Sequence, residues 1–313
     1  MQKINNKPNF GVNEVLCEAL RYMQNNPSNN GAIILQVHNK DELLPIFCTY
    51  ENKYIQYGDK LHNLSSSSVL DNVNGIDKVV MKGLYKKFYD KDSKFRKELY
   101  KLTPRSCPIC DAEWGYASHT LDHILPESKY PQFAVTPLNL VPTCYRCNHS
   151  KSTTVGTQEN QGVINPYFNY INLSKYLSCK IYVKSSDLVT NIFLKSESEL
   201  DITHLQYQKL KFFYEEVYKL NESYSEIARI SVLNGMIDTL AKFNQTFSKS
   251  DMIVYFKSIA DTQELSENER ISTEFLKSLL LHSLLEMDDQ VYMVLIDLIN
   301  EKRTQAKEFK ENF

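Results

Sequence analysis

Residues 107–151 read CPICDAEWGYASHTLDHILPESKYPQFAVTPLNLVPTCYRCNHSK, a stretch bracketed by two Cys-x-x-Cys pairs. Cys107 with Cys110 and Cys144 with Cys147 each have the spacing of a zinc knuckle, and two knuckles supply the four soft ligands of a closed tetrahedral site. A redox dithiol needs no duplicate. A structural zinc here pins the two ends of the stretch together and keeps a small hairpin from fraying. Inside the frame, residues 120–125 read as a short strand stopped by Pro126, residues 139–141 as a return strand, and a helix begins near Cys144. The local unit is strand, loop, strand, helix.

The whole chain sets bounds on function. Its 313 residues suffice for two domains and a sizeable core, and a formal charge of −2 excludes a polybasic nucleic-acid binder. Affinity for nucleic acid must come from a local patch or a partner. Of seven cysteines, only Cys17, Cys48 and Cys179 lie outside the two pairs, which fits a reducing compartment better than a disulfide framework. The N-terminus lacks the apolar core of a secretory signal and no apolar run approaches a membrane span, so the sequence predicts a cytoplasmic protein.

Within the frame the chain carries LDHILP at 121–126, PLNLVP at 137–142 and CNHSK at 147–151. An Asp-His pair, a middle Asn, and a Cys-x-x-Cys-Asn-x-x-Lys closure, in that order, resemble the HNH endonuclease superfamily, the ββα-metal nucleases. The resemblance covers residues 107–151. It implies that His123 is the general base, Asp122 and Asn148 ligands of a catalytic Mg²⁺ or Mn²⁺, Asn139 the tie that holds the loop backbone and orients the histidine, and Lys151 a phosphate contact. Adjacent strand residues point to opposite faces, so Asp122 and His123 can serve the two sides of an in-line displacement at phosphorus. Asn148 stands where other members have His, which favours Mg²⁺ over a nitrogen-rich site. His119 is read as supporting or surface, and His149 as a candidate third ligand. Arg105, Lys129 and Arg146 are candidate phosphate contacts.

More narrowly, the stretch looks like the Septu-type (PtuB-like) HNH component of bacterial anti-phage systems, including versions attached to retrons. Asn165 stands where that group has His before Pro-Tyr-Phe. The narrower likeness implies a partner ATPase and a DNA or RNA substrate. A free-standing restriction- or toxin-type nuclease and a catalytically silent zinc-framed nucleic-acid adaptor fit the same residues.

The remaining sequence reads as accessory structure, giving an α+β protein with a mixed N-terminal region and a mainly helical C-terminal region. Three parts are expected: an N-terminal α/β accessory region at 1–77, a basic helix with the zinc-framed core at 78–162, and two short strands followed by partner- or substrate-binding helices at 163–313. Residues 12–23 have helical spacing, 32–37 strand character, and 45–50 with 54–57 the look of a hairpin. Residues 64–75 read as a loop. In 78–102, Val79, Leu84, Phe88, Phe95, Leu99 and Leu102 form an apolar stripe among nine basic residues from Lys78 to Lys101, either a solvated helix face or a phosphate-backbone track. Strands are expected at 180–184 and 188–195. Helices are expected at 205–220, 224–243, 252–259, 273–287 and 290–309, with Asp251 and Ser272 as N-caps.

Overall fold

Val12, Val15, Leu16 and Ala19 recur on one face and are buried, which fixes helix α1, Val12–Asn25. A computed structural model describes residues 4–25, 40–64, 78–89, 93–114, 119–169, 171–243, 245–264 and 272–311. The strand expected at 32–37, most of the loop expected at 64–75, and Asp90, Lys91 and Asp92 of the basic segment lie outside these residues.

The hairpin expected at 45–57 is instead helix α2, Lys40–Gln56. Its buried Phe47, Tyr50 and Tyr54 stand at helical intervals, and the aromatic and β-branched content that suggests strands is overridden by packing. The basic segment forms two helices, α3 (Lys78–Phe88) and α4 (Lys94–Lys101), because the Ser93 side chain accepts a hydrogen bond from Phe95 N–H and caps the second. Leu84, Phe88, Phe95 and Leu99 are buried as the stripe requires, but Val79 is exposed and Met81 is buried instead.

Strand β1 (His119–His123) pairs antiparallel with β2 (Leu140–Cys144), and helix α5 (Tyr145–Lys151) follows directly and packs on both strands. The register sets His119 opposite Cys144, Asp122 opposite Val141 and His123 opposite Leu140. A two-stranded hairpin is marginal in water by itself. Here Leu121, Ile124, Leu125, Phe133, Leu138 and Val141 join one apolar core with Val12, Phe47, Tyr54, Leu84, Phe95 and Leu99. The described part of 1–77 therefore supplies the core on which the hairpin rests.

The chain divides into two compact units, Met1–Asn172 with Ile202–Tyr218, and Leu173–Asp201 with Lys219–Phe313. The first unit takes in helix α6, His204–Lys211, which continues as a π-helix over Phe212–Val217 and stops at Tyr218. The second unit carries β3 (Leu177–Lys184) and β4 (Asp187–Leu194), a hairpin turned through Ser185 and Ser186, both at positive φ. Helix α7 (Leu220–Ile227) lies on β4, α8 (Asn234–Ala241) and α9 (Lys249–Glu264) follow, α10 (Ser272–Leu285) lies on β3, and α11 (Asp289–Glu311) closes the unit. The helices expected at 205–220 and 224–243 are thus each interrupted, the second by a π-helical stretch at Ala228–Leu233. Asp251 is not the cap of α9. Ser248 takes that place, accepting from Asp251 N–H while the Asp251 carboxylate accepts from Ser248 N–H. Among the described residues no helix is long and apolar enough to cross a membrane.

Tyr54 is the side chain that ties α2 to the hairpin loop. It is fully buried, donates to Asn139 Oδ1 at 3.0 Å and accepts from Asn165 Nδ2 at 3.1 Å. Asn139 Oδ1 keeps Leu125 N–H and Asn165 Nδ2 keeps Leu138 O, but Tyr54→Phe leaves one lone pair of the first and one N–H of the second buried and unmet, and we expect it to cost about 1–3 kcal/mol in a urea titration. An unchanged midpoint and slope would show that the network does not brace the loop.

Candidate active site

The two knuckles close on each other. Cys107, Cys110, Cys144 and Cys147 are buried and their sulfurs lie within 4.8 Å of one another, with Cys110 and Cys144 at 3.6 Å. A tetrahedral zinc with bonds of about 2.3 Å sets its sulfurs about 3.8 Å apart, so this donor set fits a metal such as zinc. The backbone N–H groups of Cys144 and Cys147 point at Cys107 Sγ and Cys144 Sγ, at 3.3 and 3.5 Å, where they favour thiolate charge. Hydrogen bonds from the Cys107, Cys110 and Cys147 thiols hold the Cys144 thiol well below its ordinary range. The first knuckle turns tightly through Asp111, whose positive φ of 63° an aspartate tolerates and whose carboxylate accepts from the Ser106 hydroxyl at 2.7 Å.

Asn139 lies at the far end of the hairpin, fully buried, with every polar atom used. Its Oδ1 accepts from Leu125 N–H at 2.8 Å and from Tyr54, and its Nδ2 donates to the carbonyls of Leu125 and Phe133 at 3.0 and 3.1 Å. These bonds hold together the loop between the strands. The next carbonyl in that loop, Ala134 O, is 2.9 Å from His123 Nε2. A carbonyl only accepts, so Nε2 carries the proton and Nδ1 is the unprotonated nitrogen. The ring lies edge-on to Tyr85 of α3, centroids 4.4 Å apart. Burial pushes the His123 imidazole down to about 4, so it is neutral near pH 7.

Asp122 faces the other way. It is 2 % exposed, and its Oδ1 is 2.9 Å from Lys151 Nζ. Lys151 also donates to the His123 carbonyl at 2.6 Å and is only 1 % exposed. The ammonium expected at a phosphate is therefore spent on a buried carboxylate, because α5 packs on β1 and brings the two together. Tyr218 hydroxyl approaches Asp122 Oδ2 at 3.4 Å. Burial raises the Asp122 carboxyl, against the Lys151 charge and hydrogen bond, which lower it. Asn148, one turn before Lys151, donates from Nδ2 to Thr120 Oγ1 at 3.1 Å. Thr120, Asp122, Asn148 and Lys151 thus share one side and His123 takes the opposite one. For a divalent cation these donors do not fit as they stand, since both Asp122 oxygens are engaged and the residue is buried.

His119 is not part of this group; it lies against Trp114 at 3.9 Å and Tyr100 at 4.9 Å. His149 is exposed and stacks on Tyr145. Arg105, Lys129 and Arg146 are exposed. Four neighbours of the site escape sequence reasoning: Tyr85, Thr120, Glu127 and Tyr218. Glu127 sits four residues after His123, with Oε2 3.9 Å from its Nε2 and Oε1 3.8 Å from Lys82 Nζ. Tyr218 is 96 residues from Asp122 in the chain, and no local pattern signals it.

Residues 107–154 match the family model described as HNH endonuclease, and the chain carries an HNH domain there. A 152-residue stretch is 28 % identical to Protein ea31 of Escherichia phage lambda, covering 44 % of this chain and 50 % of that protein. A 113-residue stretch is 29 % identical to the Septu protein PtuB of Bacillus thuringiensis, covering 34 % of this chain and 39 % of that one. The chain thus spans half or less of the length of the curated relatives it matches. No solved structure gives a significant match.

Cys144 supplies a sulfur and also caps α5, so Cys144→Ser removes a metal ligand at the junction of strand and helix. We expect loss of bound zinc, counted by atomic absorption, together with a fall in melting temperature or loss of soluble protein. Full zinc content in a folded Cys144→Ser chain would rule out the four-sulfur site.

Proposed function

We propose that the chain is a metal-dependent HNH endonuclease that hydrolyses phosphodiester bonds of nucleic acid, with His123 as general base. The observation that supports this most directly is the pinned imidazole, whose Nε2–H is held by Ala134 O so that Nδ1 is the acceptor. In the step, Nδ1 takes a proton from water as the water oxygen bonds phosphorus, and the bond to the departing sugar oxygen breaks on the opposite side. No 2′-hydroxyl is used, so the chemistry serves DNA and RNA alike. Asn139 acts by positioning, through the loop that presents Ala134 O. Asp122 and Asn148 are the proposed ligands of Mg²⁺ or Mn²⁺ once Asp122 is released from Lys151 and Tyr218, and the cation would there supply positive charge to the reacting phosphate. With Lys151 held on Asp122, its part is to balance that carboxylate rather than to meet the substrate.

Helix α3 is the proposed phosphate-backbone track. Its Tyr85 touches His123, its Lys82 reaches toward Glu127, and Lys78, Lys82 and Lys86 are exposed. Likeness to a Septu protein favours a role as effector of a bacterial anti-phage system that works with a partner ATPase, in the cytoplasm. The second reading is a free-standing nuclease that acts on its own.

A cleavage panel of duplex DNA, single-stranded DNA and tRNA, with Mg²⁺ or Mn²⁺, tests the proposal on the full chain. His123→Ala is expected to lower cleavage by at least about a hundredfold without altering zinc content or melting temperature; undiminished cleavage removes His123 from the mechanism. Robust cleavage by the chain alone supports the free-standing reading, and cleavage only with an ATPase supports the defence complex. Absence of cleavage under every condition supports the silent adaptor. Lys82→Glu with Lys86→Glu is expected to weaken binding to every nucleic acid and to lower the salt slope by about 2, one for each phosphate that a lysine no longer neutralises. An unchanged slope makes α3 a solvated face.

A further inference from the structure

The acidic side of the site is covered. Lys151 is buried because residues of the 202–218 segment lie over it. Phe212, Phe213, Val217 and Tyr218, with Lys151 and Val155, line a cavity of about 10 Å³, room for one water at most. Asp122 is not among the residues that line it, so the cavity shows how closely the segment packs on Lys151. Both Asp122 oxygens are already engaged, one by an ammonium and one by a phenol. The covering segment is also irregular. It leaves the α-helical path for a π-helix at Phe212–Val217, and the residue after Tyr218, Lys219, is left-handed at φ 48°, ψ 45°. π turns and left-handed residues bearing a Cβ persist only where surrounding contacts hold them, and they gather at sites that switch. Lys219 is exposed, and it is where the chain leaves the first unit.

We propose that residues 202–218 form a lid, with Tyr218 as its latch and Lys219 as its hinge, which closes the Asp122 carboxylate to a divalent cation until the lid withdraws. The proposal rests on the reading of Asp122 as a cation ligand. In the closed state Lys151 supplies the positive charge that Asp122 requires; in the open state the cation supplies it. Because α7 follows the hinge directly, an event that displaces the residues after 219 acts on the latch through one residue.

Mn²⁺ is the probe. Its binding to the full zinc-loaded chain is read from the electron paramagnetic resonance signal of the free ion. A lid that is closed about ten times as often as it is open weakens the apparent affinity about tenfold. Tyr218→Ala removes the latch. Lys219→Pro forbids the left-handed hinge and truncates no buried side chain, so it carries the test if Tyr218→Ala does not fold. Both are expected to tighten Mn²⁺ binding about tenfold, and Asp122→Asn added to either is expected to abolish the gain. Lys219→Gly, which adopts the same backbone, is expected to bind as the unaltered chain does. Lys151 is expected to resist acylation by acetic anhydride in the unaltered chain and to react in Lys219→Pro. If folded Tyr218→Ala and Lys219→Pro bind Mn²⁺ no more tightly while Asp122→Asn weakens binding, the lid is wrong and the ligand assignment stands. If Asp122→Asn changes Mn²⁺ binding in no background, the ligand assignment falls and the lid falls with it.

Discussion

Everything in the HNH stretch depends on four sulfurs being held together. Residues 107–110 and 144–147 are remote in sequence, and the described residues between them make two short strands, two 3₁₀ turns and loop. Such a hairpin does not bury enough apolar surface to order itself. The thiol cluster fixes one end, since His119 pairs with Cys144 and Cys144 opens α5. From there the helix direction is set, and with it the positions of Asn148 and Lys151. Metal affinity at such a site is folding free energy, because the unfolded chain has no preformed site.

The other end rests on the apolar core and is set in register by hydrogen bonds. Asn139 ties Leu125 to Phe133, Tyr54 ties Asn139 to α2, and Asn165 ties Tyr54 to Leu138. Asn165 also accepts from Tyr167 N–H, and Tyr167 hydroxyl donates to Leu140 O. A buried network of this kind rigidifies when every member is satisfied and is costly when one is not. Its product is a single imidazole orientation. Loop backbone holds Ala134 O against Nε2, and the choice of tautomer follows from that contact.

The parts legible in the sequence are those whose chemistry is local. Cysteine spacing gives the frame, the Asp-His step on a strand gives two faces, and the polar break after Lys184 gives the second hairpin, whose turn is Ser185 and Ser186. Residues 45–57 are not legible as a helix, because Tyr50, Tyr54 and Tyr57 resemble strand content and only the core decides that Phe47, Tyr50 and Tyr54 share a face. Val79 has the right residue type for the stripe but is 74 % exposed, because the core turns toward Met81. Asn165 is a departure from the Septu-type pattern by sequence, yet its three hydrogen bonds make it a member of the clamp. Tyr218 and the burial of Lys151 depend on a segment that returns to the first unit after the second hairpin, a contact no local period announces.

Stability alone does not account for the Lys151–Asp122 pair. Desolvating two charges costs several kcal/mol each, and a buried pair roughly recovers that cost where its geometry is good. An apolar pair of similar volume would serve a packed core as well or better. The pair sits instead at the carboxylate that an HNH reading assigns to a cation, and the ammonium is 2.9 Å from the oxygen in question. A carboxylate this buried raises its pKa or finds a positive charge, so without Lys151 the Asp122 carboxyl either takes up a proton or meets another cation. A divalent cation supplies that charge and a water does not. On the proposed lid, the cation enters only after Tyr218 withdraws, and the carboxylate's demand for charge is then what holds it there.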